Sequence, residues 1–220
     1  TKLIKPHIGV ITNIGEAHLE NFKSIHGIAK AKSEIIENIE PGGTVILNRD
    51  DKFFNYLFKK AKMCNLKIYT FGKHIKSDVQ VRKVINKSGR SKIFIKIDNN
   101  KVNFDIKDLN IYNILASIAV LKELKINFFK ILNKFKEIGL VEGRGKKYSI
   151  FRYKKKFKLI DESYNASPLS VKNAINKLNL IKKRKFKKYL VLGDMLELGS
   201  KSKKYHKDLS KVINNSDIDK

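Results

Sequence analysis

HIGVITNIGEAHLENFKSIHGIAKAKSEIIENIEPGGTVILN, residues 7–48, holds the pattern that decides the fold. HIGVIT (7–12) is a short apolar run and predicts a buried strand. Residues 25–39 carry apolar side chains at 25, 28, 29, 35, 36 and 39, close to the 3.6-residue period of a helix. Pro41-Gly42-Gly43 ends that helix, and TVILN (44–48) predicts the next strand. Residues 51–63 read as a second helix and 67–71 as a strand stopping at Gly72. Strand, helix, strand, helix, strand is the signature of a parallel sheet with helices on its faces.

Beyond Gly72 the pattern changes and then returns. Residues 78–85, 91–98 and 101–106 predict short antiparallel strands, with turns at 87–89 and at Asn99-Asn100. Asp108 is the expected N-cap of a helix running to Leu124, and a second helix is expected over 128–138. LVEGRGKK (140–147) reads as an interdomain linker, dividing a first domain, 1–142, from a second, 143–220. Strands are expected again at 148–153 and 157–161, separated by a turn over Lys154–Lys156. A helix over 168–181 capped by Ser167, a strand KYLVL (188–192) and a helix over 201–213 complete the reading. The fold class is α/β: a mostly parallel sheet with helices and a small antiparallel section, followed by part of a Rossmann-like domain.

Composition excludes more than it selects. No run approaches the length of apolar chain needed to span a bilayer, and nothing in the first twenty residues predicts export. One cysteine, Cys64, forms no internal disulfide and suits a reducing cytoplasm. The net charge of +27 invites a nucleic-acid reading. Yet only six of the 48 basic residues are Arg, the residue whose planar fork reads bases. The lysines are spread along the chain, as in a generally lysine-rich composition, so nucleic acid is not the expected partner.

Three stretches carry candidate chemistry, and each has a plain structural reading beside the functional one. His18 and Glu20 follow a strand, at the end of a parallel sheet where open α/β folds place ligands. Lys32 lies fourteen residues beyond His18, between small neighbours. A loop histidine satisfied by a carbonyl and a solvated helix lysine would look the same. In LIDESYNASP (159–168) a strand ends in Asp161, and Ser167-Pro168 opens a helix. That start is either a simple cap or an anion site of free backbone N–H groups. LGDMLELG (192–199) presents Asp194 and Glu197 on a turn after a strand and has little specificity alone.

TNIGEAHLE with AKAKSEI, then LNRDD, GRG, DESYNASP and LGDMLELG, occurring in this order over essentially the whole chain, resemble the Mur ligase family. The resemblance implies a central ATP-binding domain joined to a C-terminal Rossmann-like domain. SYNASP and LGDMLELG point to the branch that adds D-alanyl-D-alanine to UDP-N-acetylmuramoyl-tripeptide for peptidoglycan. A sibling adding a single amino acid, a related amide ligase, or a non-catalytic basic binding module are the alternatives.

Other expectations also come from the resemblance. ATP and Mg²⁺ are the implied cofactors; UDP-N-acetylmuramoyl-tripeptide and D-alanyl-D-alanine are the implied substrates of a monomer. His18 matches a magnesium-ligating histidine and Lys32 a lysine carbamylated to an oxygen ligand. Asn110 and Asn113 in LNIYN match an adenine-contacting motif, although Leu109 stands where many relatives carry His. Arg144 matches an arginine reaching the nucleotide, Asp161 a nucleotide-contacting carboxylate with Asn165 and Ser167 beside it. Asn48 and Asp51 of LNRDD are weaker matches, and Asp194 and Glu197 are candidates for substrate binding. No G-x-x-x-x-G-K-[ST] phosphate loop occurs in the chain. The chain is therefore expected to be an internal piece of a longer ligase, its second domain cut short, and to be inactive towards ATP by itself.

Overall fold

The computed structural model describes residues 4–16, 19–87, 90–107, 109–182 and 186–219. Ser88 and Gly89 of the first expected turn, and the expected cap Asp108, lie outside the described residues. The chain divides into two compact units, Thr1–Ile14 with Ala29–Leu140, and Gly15–Ile28 with Val141–Lys220.

In the first unit β1 (Ile8–Ile11), β2 (Thr44–Asn48) and β3 (Lys67–Gly72) pair in parallel, as the alternation predicts. All five residues of β2 are buried, as a parallel strand covered on both faces requires. The helices are α2 (Ile25–Glu37), which belongs to this unit from Ala29 onward, α3 (Phe54–Met63) and α4 (Ile111–Glu123). Ile46 shares a core with Leu115 and Ile118 of α4. Val45 and Leu47, equally buried, point to the opposite face because side chains alternate along a strand.

The antiparallel strands β4 (Val79–Lys87), β5 (Arg90–Ile97) and β6 (Asn100–Ile106) do not form a separate sheet. β4 joins β3 in parallel at Phe71↔Val79 and Gly72↔Gln80, making one six-stranded sheet in sequence order. The β5–β6 turn sits one residue earlier than expected. Ile97 pairs with Asn100, and Asp98 takes the left-handed conformation (φ 52°) that Asp tolerates. The cap of α4 is Asn110, whose side chain accepts from Tyr112 N. The helix expected over 128–138 is broken into α5 (Phe129–Leu132) and a 3₁₀ turn, Asn133–Lys136. The tighter turn carries Phe135 to the Phe104 ring, 5.5 Å between centroids.

Glu123 closes α4 by accepting from Thr44 Oγ1 and Lys67 Nζ, each at 2.7 Å. Burial pushes its carboxyl up, but the hydrogen bonds from Lys67 and Thr44 outweigh it and hold the pKa below the usual value. A depressed folded pKa means stability that is present above the unfolded value of about 4.3 and lost as pH falls through the folded one. Glu123→Gln is therefore expected to destabilise the protein at neutral pH and to matter little in strong acid. Denaturant titrations at both pH values test this, and equal losses would contradict it.

The second unit contains α1 (Leu19–Phe22), the antiparallel hairpin β7 (Lys146–Arg152) and β8 (Lys155–Asp161), α6 (Pro168–Leu180) and α7 (Ser202–Asn214). The hairpin turns at Tyr153-Lys154, both at positive φ (52° and 56°), rather than over Lys154–Lys156. That geometry matches the right-handed twist of the flanking strands. Ser167 caps α6 as expected, and Ser170 completes a reciprocal capping box. The strand expected at 188–192 is absent. β-propensity needs a ladder partner, and among the described residues none pairs with this segment. Its first residue is instead tied to the end of the chain. Lys188 Nζ, buried, reaches Asn179 O and Asp217 Oδ1, while Lys188 N donates to Asp219 Oδ2 at 2.7 Å. No described helix is long and apolar enough to cross a membrane.

Candidate active site

The first group of candidate residues lies at the carboxyl ends of β1 and β2. Lys32, on α2, donates from Nζ to Asn13 O at 3.0 Å. Desolvation is the largest influence on its ammonium and lowers the pKa; the nearby Asp51 carboxylate opposes this. Asn48 ends β2 beside the end of β1, and its Nδ2 donates to Thr12 O at 2.9 Å. Asp51 accepts from Ile14 N at 2.7 Å through Oδ2 and from Phe53 N at 2.8 Å through Oδ1. His18 lies outside the described residues. Among those described, no cluster of three or more His, Cys, Asp or Glu is arranged to hold a metal ion.

The start of α4 holds the second group. Asn110 Oδ1 accepts from Tyr112 N at 2.9 Å in the cap, which leaves its second lone pair and the two Nδ2 hydrogens available to an adenine edge. Asn113 follows in the first turn with its side chain exposed. Tyr112 OH donates to Asp50 Oδ2 at 3.1 Å, and burial, then the Asp50 charge, push the phenol up to about 12. Asp50 also accepts from Lys73 N and His74 N.

In the second unit the glycine stretch and the SYNASP loop form one lattice. Asp161 accepts from Gly143 N at 3.1 Å and Ser163 N at 3.0 Å, and its carbonyl accepts from Gly145 N at 2.7 Å. Hydrogen bonds from Ser163, then Gly143, hold the carboxyl below its usual range. Glu162, between Asp161 and Ser163, pairs with Lys177 Nζ at 3.5 Å. Tyr164 N donates to Gly143 O, and the Arg144 guanidinium stacks 4.1 Å over the Tyr164 ring. Gly143 sits at φ +70°, and a Cβ there would meet Tyr164 N at 2.9 Å, so glycine is required. Arg144 and Asp161, read separately in the sequence, are thus joined; Asn165 is exposed beside them. Tyr164 has no sequence signal of its own beyond its place within SYNASP.

The LGDMLELG turn is anchored by Met195 and Leu198, both buried. Asp194 Oδ1 and Met195 N both lie within reach of His206 Nε2, at 2.7 and 3.2 Å, while His206 Nδ1 faces Ser202 O at 2.9 Å. His206 has no signal in the sequence, because its partners come from a different segment. Glu197 O accepts from Glu20 N at 3.0 Å, so two stretches read separately meet within this unit. Lys32, Asn110 and Asn113 thus belong to the first unit, and Arg144, Asp161, Asn165, Asp194 and Glu197 to the second.

Residues 1–121 match the family model of the Mur ligase middle domain. The chain is 33% identical over 223 residues to the UDP-N-acetylmuramoyl-tripeptide–D-alanyl-D-alanine ligase of Bacillus subtilis, covering 100% of this chain and 46% of that protein. It is similar to a crystal structure of MurF from Acinetobacter baumannii, with 28% identity, a TM-score of 0.85, and coverage of 99% of this chain and 46% of that one. MurF ligase from Thermotoga maritima in complex with ADP gives 26% identity and a TM-score of 0.81, with 98% and 48% covered. The chain spans about half the length of the curated relatives it matches.

Proposed function

Given that this chain belongs to the Mur ligase family, we propose that it serves an ATP-dependent ligase joining D-alanyl-D-alanine to UDP-N-acetylmuramoyl-tripeptide in peptidoglycan precursor synthesis. The observation that carries the choice of reaction is the end-to-end likeness to ligases of that name, across both units.

In this reading the γ-phosphoryl group of ATP passes to the terminal carboxylate of the tripeptide, and ADP leaves. The amine of the dipeptide then attacks the acyl phosphate, phosphate departs and the amide bond forms. Such chemistry depends on positioning and charge neutralisation. Asn110 and Asn113 at the start of α4 are proposed to meet the adenine, and Arg144 and Asp161 the nucleotide. Asp194 and Glu197 are proposed for substrate binding. The lattice around Gly143 holds Arg144 against Tyr164 and limits the conformations open to its guanidinium.

Mg²⁺ fits the donor chemistry at Lys32. This ion takes oxygen ligands, keeps several waters and shares substrate phosphates, so it does not need a dedicated cluster of protein carboxylates. The lowered pKa of Lys32 favours the neutral amine that captures CO₂. Lys32 as a carbamate, with His18, would hold the ion, which when bound neutralises phosphate charge. The enzyme is proposed to act as a monomer in the cytoplasm.

The test uses the protein as its gene encodes it. Sustained, multiple-turnover ADP release is expected only when UDP-N-acetylmuramoyl-tripeptide and D-alanyl-D-alanine are both present. Turnover that ignores the dipeptide, or prefers a single amino acid, would contradict this reading.

A further inference from the structure

Three consecutive residues after β1 are each held by a side chain from elsewhere in the sequence, one on α2 and two in LNRDD. Thr12 O accepts from Asn48 Nδ2 at 2.9 Å, Asn13 O accepts from Lys32 Nζ at 3.0 Å, and Ile14 N donates to Asp51 Oδ2 at 2.7 Å. Asp51 is itself fixed by Phe53 N, and Asn48 Oδ1 accepts from Asp50 N at 3.0 Å. Asn48 and Asp51 of LNRDD therefore both direct their reach at the backbone that faces Lys32.

We propose that Asn48 and Asp51 are positioning residues, clamping the Thr12–Ile14 backbone so that Asn13 O sets the direction of a carbamate on Lys32. This rests on the ligase reading above. Carbamylation joins the neutral Nζ to the carbon of CO₂ and releases one proton to solvent, leaving R–NH–COO⁻. An amine or ammonium has several N–H groups and reaches a carbonyl in many rotations. The carbamate is planar and keeps a single N–H, so the acceptor of that N–H fixes where its oxygens point. The clamp thus matters far more to the carbamate than to the unmodified lysine. Asp51 directs each oxygen at a backbone N–H, and the role proposed for it runs through that loop.

Asp51→Ser separates the roles of this side chain. Serine can still accept from Phe53 N in a local turn but is too short to hold Ile14 N. In the protein as encoded, kcat is expected to fall about 10- to 100-fold, the range for partners that orient ligands, with KM for the dipeptide unchanged. The ¹³C carbamate signal of protein equilibrated with ¹³C-bicarbonate is expected to fall as well, even though loss of the Asp51 charge by itself favours the neutral amine of Lys32. Asp78→Asn is the control, since Asp78 also accepts twice, from Thr70 N and Thr70 Oγ1. It is expected to lower Tm and leave kcat unchanged.

The decisive comparison is made in a Lys32→Ala background rescued by acetate. Free acetate has no N–H to orient, so adding Asp51→Ser should leave rescued activity unchanged. An equal fall in both backgrounds would overturn the inference, as would an unchanged kcat and carbamate signal in Asp51→Ser alone. A wild-type protein with neither ligation nor a carbamate signal would overturn the ligase reading, and the inference with it.

Discussion

Lys32→Ala is expected to remove ligation, by at least about 10²-fold, the scale for deleting one group that stabilises transferring charge. The fold is expected to survive. Lys32 is a helix residue whose ammonium is partly desolvated and which makes one hydrogen bond, to Asn13 O, and alanine is the best helix former. Small carboxylic acids such as acetate should restore part of the activity, because they supply the oxygens that the carbamate would. Full activity of Lys32→Ala without any addition would sink the carbamate proposal. Loss without rescue, accompanied by a lower Tm, would reduce Lys32 to a structural role.

The largest expected effect on stability is at Phe71→Ala. Phe71, near the end of β3, has no exposure and stands in the core with Ile46, Val79 and Leu115. Removing a buried phenyl ring loses its transfer free energy and leaves a cavity that the six-stranded sheet cannot easily close. About 3–5 kcal/mol is expected from denaturant titration. Ile75→Ala, at a residue 73% exposed, should stay within about 0.5 kcal/mol. Similar losses at both positions would show that Phe71 does not belong to the core.

The parallel part of the fold was readable from residues 7–72 because buried strands and amphipathic helices differ in period. Ser167-Pro168 was readable because a helix start is a local event, decided by side chains two or three residues apart. The broken helix after Phe128 was not, since its 3₁₀ turn serves the contact of Phe135 with Phe104, some thirty residues away. KYLVL misled for the converse reason: its composition suits a strand, but pairing depends on a neighbour that composition does not reveal.

The candidate site divides in the same way. Lys32, Asn110, Arg144 and Asp161 were legible as residue types in ordered motifs, and the family followed from that order. The hydrogen bonds of Asn48 and Asp51 to Thr12 and Ile14 span 36 and 37 residues and exist only because β1 and β2 lie side by side. The stacking of Arg144 on Tyr164 and the pairing of Asp194 with His206 likewise needed chain reversals that no local pattern encodes. Sequence alone determined the alternation of elements, their caps and the chemical groups available. Tertiary structure alone decided which backbone atoms those groups hold, because a hydrogen bond only a few ångströms long depends on where distant segments have been packed.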